Sequence, residues 1–573
     1  MWCKHCELEV EEKNCPICGQ KTEAEIPTEI YWCNHCQAPV IQRANQTDKE
    51  LCPECGQKLH YLSADLRPVF PEERLLLELL LQLEPLSLQS QSVWAHKNRY
   101  YINGQSKMIT TKRYAVASAE NIRQRLQMYA TKNQETEPIF QRHIEKFLAL
   151  NQLHLHSIID EAQGFIRQEA SKYPSENIVL SFSGGKDSTV TADIVTKALS
   201  NPSLVHIFGN TTLEFPMTLA YAQRFRHQHP QAIFQVAQNR EQNFMEVCKE
   251  IGPPARMMRW CCSMFKTGPI TRIIGNLYRN QQILTFYGIR RYESVSRSKY
   301  NRVEKNSQSV KIQQQTVAAP LFNWKDIDVW LYILGEKIDF NEAYRLGYDR
   351  VGCWCCPNNN GRAQFLSSIY IPNKASAWRR FLIDFARQIG KEDAEVYVDS
   401  GKWKARQGGN GLAAAQSVKL QYTNCTAEEH AKIYQLFHPY DEELINMFVP
   451  FGEIAPDLGR KLLRETIVLD KQTHVPILAI QPFSKDGWTH AVKIQTLNVK
   501  NHDDLQRLAG YQIRKFNACR RCLKCESLCR TGAISINGDH YYIDPAKCIH
   551  CQKCMNAKYL AGGCMMDKYL RTK

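Results

Sequence analysis

Residues 181–188 read Ser-Phe-Ser-Gly-Gly-Lys-Asp-Ser and directly follow the apolar run Ile178-Val179-Leu180. An apolar run, a glycine pair and a helix-forming stretch that reaches Leu199 predict a strand, a tight turn and a helix. Glycine lets a backbone pass close to a ligand, and the unpaired N–H groups at a helix start attract an anion. The segment therefore predicts a cradle for phosphate.

The side chains of this segment suit a phosphate group. Lys186 adds a mobile cation, and Asp187 can hold Mg²⁺ or a water. The expected nucleotide-binding residues here are Ser181, Ser183, Gly184, Gly185, Lys186, Asp187 and Ser188. The spacing is not that of the Gly-x4-Gly-Lys-Ser/Thr loop. An ordinary glycine-rich turn is the alternative.

The first sixty residues contain a repeated pair of cysteine motifs. Each half has a Cys-x2-Cys pair followed by Cys-Pro-x-Cys-Gly, a turn that directs N–H groups toward sulfur. The expected ligands are Cys3, Cys6, Cys15, Cys18, Cys33, Cys36, Cys52 and Cys55. Four sulfur ligands fill a tetrahedral site, so we expect tandem zinc ribbons with two structural zinc ions.

A second cysteine-rich segment lies near the other end of the chain. Its members are Cys519, Cys522, Cys525, Cys529, Cys548, Cys551, Cys554 and Cys564. Two Cys-x2-Cys-x2-Cys runs are hard to fit to tetrahedral zinc, although zinc stays an alternative. The runs resemble the two-cluster bacterial ferredoxin, in which the fourth cysteine of each run binds the other cluster.

That resemblance implies two [4Fe–4S] clusters and an electron relay. It assigns one cluster to Cys519, Cys522, Cys525 and Cys564, and the other to Cys548, Cys551, Cys554 and Cys529. The sequence departs from the ferredoxin pattern at two points. Arg530 replaces the usual proline, and nine residues separate Cys554 from Cys564.

Length and composition bound the architecture. With 573 residues, the chain is too long for one hydrophobic core, and roughly three to five units are expected. No apolar run approaches the ~18 residues of a transmembrane helix, so no membrane partner is expected. The 23 cysteines at metal-ligand spacing, and a start without an apolar signal region, favour a reducing compartment and a cytoplasmic protein.

The formal charge of +15 would suit a nucleic-acid partner. Thiolates on two zinc ions and three clusters would remove roughly ten of these charges and leave about +5. Charge is therefore a weak indication of nucleic acid.

The order of these motifs divides the chain into five regions. They are tandem zinc ribbons (1–60), a helical and hairpin extension (61–175), a nucleotide-binding core (176–370), a mixed helical and β region of unknown role (371–510) and a ferredoxin-like α+β segment (511–573). In the extension we predict helices at 72–83, 117–132 and 138–172, and a hairpin turn at Asn103-Gly104.

In the core, predicted strands alternate with helices, at 177–182, 204–208, 232–236 and 283–287. This α/β order predicts a doubly wound parallel sheet with helices on both faces.

Several ordered segments of the core resemble the phosphoadenosine phosphosulfate reductase family, a branch of the ATP-pyrophosphatase superfamily. Besides the loop they are Phe208 to Pro216, Arg259-Trp260-Cys261-Cys262, Gly288 to Arg297 (Gly-x-Arg-x2-Glu-Ser-x2-Arg), Pro320-Leu321, Asp328-Val329-Trp330 and Gly352-Cys353-x2-Cys356-Pro357. The resemblance spans about 175–360 and implies an adenine nucleotide alpha-hydrolase-like fold that binds ATP or a related nucleotide with Mg²⁺.

The resemblance also implies site residues. Arg290 and Arg297 are expected to clamp phosphate or sulfate oxygens near Gly288. A third [4Fe–4S] cluster is implied on Cys261, Cys262, Cys353 and Cys356. Cys355 is a candidate persulfide carrier, with an alternative ligand or a buried structural thiol as the other interpretations. The expected catalytic residues are Lys186, Asp187, Arg290 and Cys355.

Two features bear on the reaction. The loop keeps Ser-Gly-Gly-Lys-Asp-Ser, whereas family reductases that do not cleave ATP usually have degenerate versions. The Glu-Cys-Gly-x-His tail of standard reductases is expected to be missing, since the Glu-Cys-Gly of this sequence, Glu54-Cys55-Gly56, lies in a zinc ribbon. We therefore expect adenylation-dependent sulfur transfer, with tRNA or DNA weakly indicated as acceptor and an electron donor as partner. An adenosine phosphosulfate reductase served by the fused ferredoxin, and a non-catalytic sensor, are the alternatives.

Overall fold

The computed structural model describes residues 2–3, 6, 8–9, 14–20, 28–43, 50–109, 118–278, 281–305, 315–409, 412–416, 420–556, 560 and 562–570. At 2–3, 8–9, 416 and 568 it describes the backbone alone.

The central sheet has six strands, and five of them are parallel. In spatial order they are Ile233–Ala237, Val205–Gly209, Ile178–Phe182, Ile283–Phe286, Gln315–Ala318 and the antiparallel edge strand Val303–Lys305. Val179 pairs with Val205 on one side and with Thr285 on the other. The parallel α/β core predicted from the sequence is confirmed.

Helices cover this sheet and the regions around it. In chain order they are Pro71–Leu81, Ala119–Gln134, Glu137–Leu150, Gln152–Ala170, Lys186–Leu199, Pro216–Gln228, Phe244–Ile251, Trp260–Cys262, Gly268–Tyr278, Asp326–Gly335, Gly361–Tyr370, Pro372–Gln388, Ala394–Asp399, Ala413–Gln416, Glu442–Asn446, His502–Ala518, Lys524–Leu528, Lys553–Asn556 and Met565–Leu570. Val179 packs with Ile274 on one face of the sheet, and Leu180 lies in the same buried cluster as Val190 on the other. This alternation is the signature of a sheet buried on both sides.

The helix predicted at 138–172 is two helices that meet at Asn151. The Asn151 amide donates to the carbonyl oxygens of Phe147 (2.7 Å) and Pro39 (2.9 Å), and its oxygen accepts from Ile41 N (2.7 Å). A short polar side chain that bonds backbone groups competes with the helix ladder, so the chain turns there.

The N-terminal cysteine motifs lie in small sheets. Two-residue strands Trp2–Cys3 and Leu8–Glu9 pair in the first motif, and Ala38–Arg43, Thr28–Cys33 and His60–Ser63 form a three-stranded sheet in the second. The next sheet contains Arg67–Pro68, Val93–His96, Arg99–Ile102 and Gln105–Met108. Asn103 and Gly104 have φ values of 47° and 82° between its last two strands, as a two-residue hairpin turn requires.

A second large sheet fills the region of unknown role. Its six antiparallel strands are, in spatial order, Tyr422–Asn424, Ala431–Leu436, His490–Thr496, Pro476–Phe483, Thr466–Leu469 and Glu453–Ala455. Helix His502–Ala518 packs on it and leads into the last cysteine segment, whose hairpin pairs Ile534–Asn537 with His540–Ile543. One buried cluster joins Trp260, Val492 and Ile534, so this sheet, the last segment and the central domain share a core.

None of the helices in the described ranges is long and apolar enough to cross a membrane.

Candidate nucleotide and cysteine sites

The loop 183–185 turns sharply between the strand Ile178–Phe182 and the helix Lys186–Leu199, here called the loop helix. Gly184 has a φ of +69°, which favours glycine. The backbone N–H of Ser183 donates to Ser188 Oγ (3.1 Å), and Ser188 Oγ donates to the Gly185 carbonyl (2.8 Å). Ser181, in the strand two residues before Ser183, is hydrogen-bonded to the Tyr287 hydroxyl.

Gly288 packs directly against the start of the loop helix. A Cβ at this position would lie 2.6 Å from the carbonyl carbon of Asp187 and 2.8 Å from Ser188 N. No side chain fits at such distances without a backbone shift, so glycine is required by close approach.

Four side chains form a buried ionic network beside the loop. Lys186 Nζ lies 3.3 Å from Asp187 Oδ2 and 3.0 Å from Asp326 Oδ1. Arg290 bonds the same two carboxylates, through Nε to Asp187 and through Nη2 to Asp326 (2.9 Å). Each cation therefore meets two carboxylates at the place where the sequence predicts phosphate.

The charges of this network are fixed by their neighbours. Burial would raise the pKa of Asp187, but Arg290 and Lys186 outweigh it and hold that pKa at about 2. Burial would lower the pKa of Lys186, but Asp187 and Asp326 outweigh it and raise that pKa. Both groups are ionised at neutral pH and suited to bind an anion together with a cation.

Tyr344 and Asp326 are site residues that the motifs did not single out. The Tyr344 hydroxyl accepts a hydrogen bond from Lys186 N (3.0 Å), and its ring lies 5.4 Å from Lys186 Nζ. Both come from segments far along the chain, so no local pattern marks them. The helix Asp326–Gly335 begins at Asp326, directly after Trp324-Lys325. This position at a helix start is the one feature of the sequence that could have marked Asp326.

Arg297 lies near the loop network, since the charges of Asp187 and Arg290 act on it, but its ion pair is with another carboxylate. Its guanidinium bonds Glu293, which also pairs with Arg350 (3.4 Å). Burial and the nearby Arg350 lower the pKa of Arg297 to about 10. Of the two arginines predicted to clamp phosphate, Arg290 thus contacts the loop network through Asp187, and Arg297 pairs with Glu293.

The core cysteines come together from distant segments. Cys261 and Cys262 lie in the short helix Trp260–Cys262, and the Arg259 guanidinium donates to Cys262 Sγ (3.4 Å). Cys353 Sγ lies 3.5 Å from Thr211 Oγ1. Its pKa is raised to about 12 by burial and by Glu214, with a further contribution from Cys356. A hydrogen bond with Cys262, burial and the proximity of Cys353 raise the pKa of Cys261.

Cys355 differs from its neighbours. Its thiol is buried in the hydrophobic core, where burial, Cys353 and Cys248 raise its pKa well above the ordinary value. Such a thiol is protonated and poorly nucleophilic at neutral pH.

The nucleotide loop and the core cysteines are adjacent. A Cβ on Gly185 would lie 3.5 Å from Val351, and Cys353 follows Val351 by two residues. Glu214 pairs with Cys353 as an isolated β-bridge, in the segment that follows the strand Val205–Gly209. Both groups thus lie at the carboxyl edge of the parallel sheet, where ligands bind in folds of this type.

The second N-terminal cysteine motif, here called the second ribbon, has the geometry of a tetrahedral sulfur site. Cys33 and Cys55 sulfurs are 3.5 Å apart, those of Cys36 and Cys52 are 3.8 Å apart, and all four lie within 4.8 Å of one another. Zinc–sulfur bonds of ~2.3 Å place tetrahedral sulfurs about 3.8 Å apart, so this donor set fits zinc.

The first ribbon groups Cys6, Cys15 and Cys18, with Cys6 and Cys15 sulfurs 3.9 Å apart. The side chain of Cys3 lies outside the described residues.

The last eight cysteines form two neighbouring groups. Burial and then Cys564, Cys525 and Cys519 raise the pKa of Cys522. Burial, Cys529 and Cys551 act in the same way on Cys548. Within the described residues, cysteine sulfurs at zinc spacing occur near the N-terminus and not in these groups or the core set.

The group that contains Cys522 lies against the core cysteines. Burial, Cys522 and Cys261 raise the pKa of Tyr569 to about 12, which places this ring between the two cysteine groups. Ser263 Oγ lies 3.5 Å from the Met565 sulfur. Arg272 bonds Glu526 (3.1 Å) and the Ile536 carbonyl (2.6 Å), so the last segment is fixed on the helix Gly268–Tyr278.

Residues 177–359 match the family described as phosphoadenosine phosphosulfate reductase domain. This part of the chain, about a third of it, is similar to that domain family. The resemblance drawn from the loop, the Gly288 segment and the core cysteines is confirmed for the core.

Curated relatives match over part of their length. An uncharacterized protein of Methanocaldococcus jannaschii is 34% identical over 243 residues, which are 42% of this chain and 48% of that protein. A second protein of the same organism is 29% identical over 46% of this chain and 60% of its own. The chain thus spans about half the length of these relatives. The adenosine 5′-phosphosulfate reductase of Oceanobacillus iheyensis is 27% identical over 34% of this chain and 79% of its own.

Solved structures resemble the core weakly. The phosphoadenylyl-sulfate reductase of Candida auris is 20% identical over 36% of this chain and 96% of that chain, with a TM-score of 0.28. The U34-tRNA thiolase NcsA of Methanococcus maripaludis, with its [4Fe-4S] cluster, is 15% identical over 44% and 80%, with a TM-score of 0.24. At such TM-scores neither structure bears on function.

Proposed function

We propose that the chain is an iron–sulfur enzyme that activates an acceptor as an adenylate and transfers sulfur to it. The observation that carries the proposal is the adjacency of an intact nucleotide loop and four core cysteines at one edge of the sheet. Cys353 lies two residues beyond Val351, which packs against Gly185.

The loop side chains would catalyse the adenylation. An acceptor oxygen attacks the α-phosphorus of ATP, the bond from that phosphorus to the bridging oxygen breaks, and pyrophosphate leaves. Lys186 and Arg290 would stabilise the charge on pyrophosphate. Asp187 would hold Mg²⁺, and phosphate oxygens would replace the carboxylates that these cations bind in the nucleotide-free structure.

The core cysteines would hold the sulfur. Cys261, Cys262, Cys353 and Cys356 would hold a [4Fe–4S] cluster that supplies one-electron chemistry. Four thiolates leave no iron open, so sulfur would bind at the iron that one of these thiolates releases. Attack by that sulfur breaks the bond between the acceptor and the AMP oxygen, and AMP leaves. Because the Cys355 side chain is buried whereas the other four are half-buried, we favour the four-cysteine set over Cys355 as the place of sulfur.

The last segment would act as a two-cluster ferredoxin. One of its clusters would be held by Cys529, Cys548, Cys551 and Cys554. Because Cys551 is exposed, that cluster would be the entry point for electrons. The other cluster would be held by Cys519, Cys522, Cys525 and Cys564, beside Tyr569 and the core set. If sulfur arrives as a persulfide, two electrons from this relay would cleave the S–S bond and leave one sulfur on the product.

A second candidate is reduction of adenosine phosphosulfate to sulfite and AMP with two electrons from the relay. The similarity to the Oceanobacillus iheyensis adenosine 5′-phosphosulfate reductase favours it, since the chain covers 79% of that enzyme. The first proposal, sulfur transfer, also includes tRNA or DNA as the acceptor, the division of the chain into five regions and two structural zinc ions.

Anaerobically purified protein tests both candidates. We expect about twelve irons and two zincs per chain, and pyrophosphate release from ATP in the presence of acceptor. Sulfite from adenosine phosphosulfate without pyrophosphate release from ATP would instead establish the reductase. Lys186→Ala should abolish turnover with an unchanged iron content, and full activity of this variant would contradict the loop assignment.

A further inference from the structure

The second ribbon touches the helix that carries Asp326. Lys325, buried directly before this helix, donates through Nζ to the carbonyl oxygens of Thr28 and Ala64 (2.8 Å to Ala64). Thr28 begins one ribbon strand, and Ala64 follows the strand His60–Ser63. The two ends of the ribbon sheet thus converge on one lysine.

Asp65 continues this contact at the start of the helix. Its Oδ2 accepts from Asp326 N (3.1 Å), and its Oδ1 accepts from Ile327 N (3.1 Å). The first N–H groups of a helix have no intrahelical partner, and a carboxylate at that end satisfies them and the helix dipole. The N-cap position of this helix is Lys325, and Asp65 accepts from the next two N–H groups across a separation of 261 positions in the sequence.

Asp326, whose backbone N–H bonds Asp65, also contacts the loop cations through its carboxylate. The Asp326 carboxylate lies 3.0 Å from Lys186 Nζ and 2.9 Å from Arg290 Nη2. A continuous path of hydrogen bonds and ion pairs therefore leads from the second ribbon through Asp65 and Asp326 to both loop cations.

The ribbon is also part of the core of the domain. Ile30, Trp32 and Val40 lie in the same buried cluster as Leu180 of the strand before the loop. Cys33, Cys36 and Cys52 belong to that cluster too. The ribbon is therefore packed in place and able to transmit a constraint.

We propose that Asp65 is a positioning residue through which the zinc-bound second ribbon sets the geometry of the nucleotide loop. This inference rests on the nucleotide binding of the proposed function. Zinc at Cys33, Cys36, Cys52 and Cys55 orders the strands that end at Thr28 and Ala64, and Asp65 passes that order to Asp326. Coupling between two sites is reciprocal, so bound nucleotide must in turn retain the zinc.

The test compares ATP binding, with Mg²⁺ present, by calorimetry on the full chain. Asp65→Ala should weaken ATP binding about three- to tenfold, the size of a lost cap. Asp65→Asn keeps one of the two accepting oxygens and replaces the other with an N–H donor, so it should restore only part of the affinity. Asp441→Ala is the matched control, because Asp441 caps the helix Glu442–Asn446 through Leu444 N (3.0 Å) in another region.

Zinc release gives a second readout that does not depend on catalysis. ATP should slow the transfer of ribbon zinc to a colorimetric chelator in the wild type and in Asp441→Ala, but not in Asp65→Ala. Cys36→Ser should weaken ATP binding, whereas Cys15→Ser in the first ribbon should leave it unchanged.

The outcomes separate the two proposals. Equal ATP affinity in the wild type and Asp65→Ala, with both proteins folded, would overturn the role of Asp65 and leave the loop assignment intact. If the wild type binds no ATP, the proposed function fails, and hydrogen exchange at the amides of Asp326 and Ile327 decides the inference. Faster exchange there after removal of ribbon zinc supports it, and unchanged exchange contradicts it.

Discussion

At the scale of single residues, the nucleotide site is a set of charges that already satisfy one another. Lys186 and Arg290 each bind Asp187 and Asp326, and none of these four side chains is fully exposed. Their buried charges are paired, as the cost of burying an isolated ion requires. Phosphate and Mg²⁺ together would bring both signs of charge and replace these pairs without leaving a charge unpaired.

Gly288→Ala tests the close approach that shapes this site. The new Cβ would lie 2.6 Å from the Asp187 backbone, so the two segments must separate. We expect at least about tenfold weaker ATP binding, since a small displacement of binding groups has a large effect. Gly275→Ala is the control, because nothing lies within 4 Å of a Cβ there, and it should leave ATP affinity unchanged. If Gly288→Ala bound ATP with wild-type affinity, the close approach of Gly288 to the Asp187 backbone would be contradicted.

At the scale of elements, one buried carboxylate joins four of them. Glu73 of the helix Pro71–Leu81 accepts from Arg67 (2.6 and 2.7 Å) and also pairs with Arg362 of the helix Gly361–Tyr370. The Tyr100 hydroxyl donates to the same carboxylate (2.8 Å). Burial would raise the pKa of Glu73, but Arg67 and Arg362 outweigh it and hold that pKa at about 2.

Glu73→Gln should lower the free energy of unfolding by about 3 kcal/mol at pH 7, because two buried arginines lose Glu73 and keep only Asp349 as a counter-charge. A carboxyl with a depressed pKa stabilises the fold above its unfolded pKa of ~4.3, and that contribution is lost as the pH falls toward 2. The difference between the variant and the wild type should therefore close between about pH 4 and pH 2.

Urea unfolding at several pH values measures the difference in the free energy of unfolding between Glu73→Gln and the wild type. Any effect of metal loss that is common to both proteins cancels in this difference. Glu395→Gln, at an exposed surface pair with Arg379, should change stability by less than about 1 kcal/mol. A pH-independent gap would show that the Glu73 charge is not what stabilises the junction.

At the scale of the whole molecule, the order of the parts suggests a route for electrons. The exposed Cys551, the buried group around Cys522 and the core cysteines follow one another toward the nucleotide loop. Arg272, bonded to Glu526 and to the Ile536 carbonyl, fixes the last segment on the central domain.

Arg272→Ala should loosen this junction, since Glu526 and a backbone carbonyl lose a charged donor worth about 1.5–3 kcal/mol each. We expect faster hydrogen exchange in Ile534–Asn537 and slower reduction of the core cluster, with iron content unchanged. The exposed pair Arg379–Asp399 supplies the control Arg379→Ala, which should alter neither rate. An unaltered reduction rate in Arg272→Ala would argue against this junction as part of the route.

Much of this could be read from the sequence because its signals are local. The loop 181–188, the cysteine spacings and the apolar strands each occupy a few consecutive residues, and they predicted the phosphate-cradle turn, the zinc-like sulfur groups and the parallel sheet. The break at Asn151 was missed, because its cause is a bond to Pro39, 112 positions away.

What only the tertiary structure decided are the contacts between segments that are far apart in sequence. Asp326 and Tyr344 lie in no shared motif, and they meet the loop because the sheet places the ends of its strands at one edge. Asp65 bonds the backbone of Asp326 from a third segment. The same holds for the Tyr569 contact between the two cysteine groups. The sequence by itself determined which chemistry the residues can perform, and folding decided which of those residues act together.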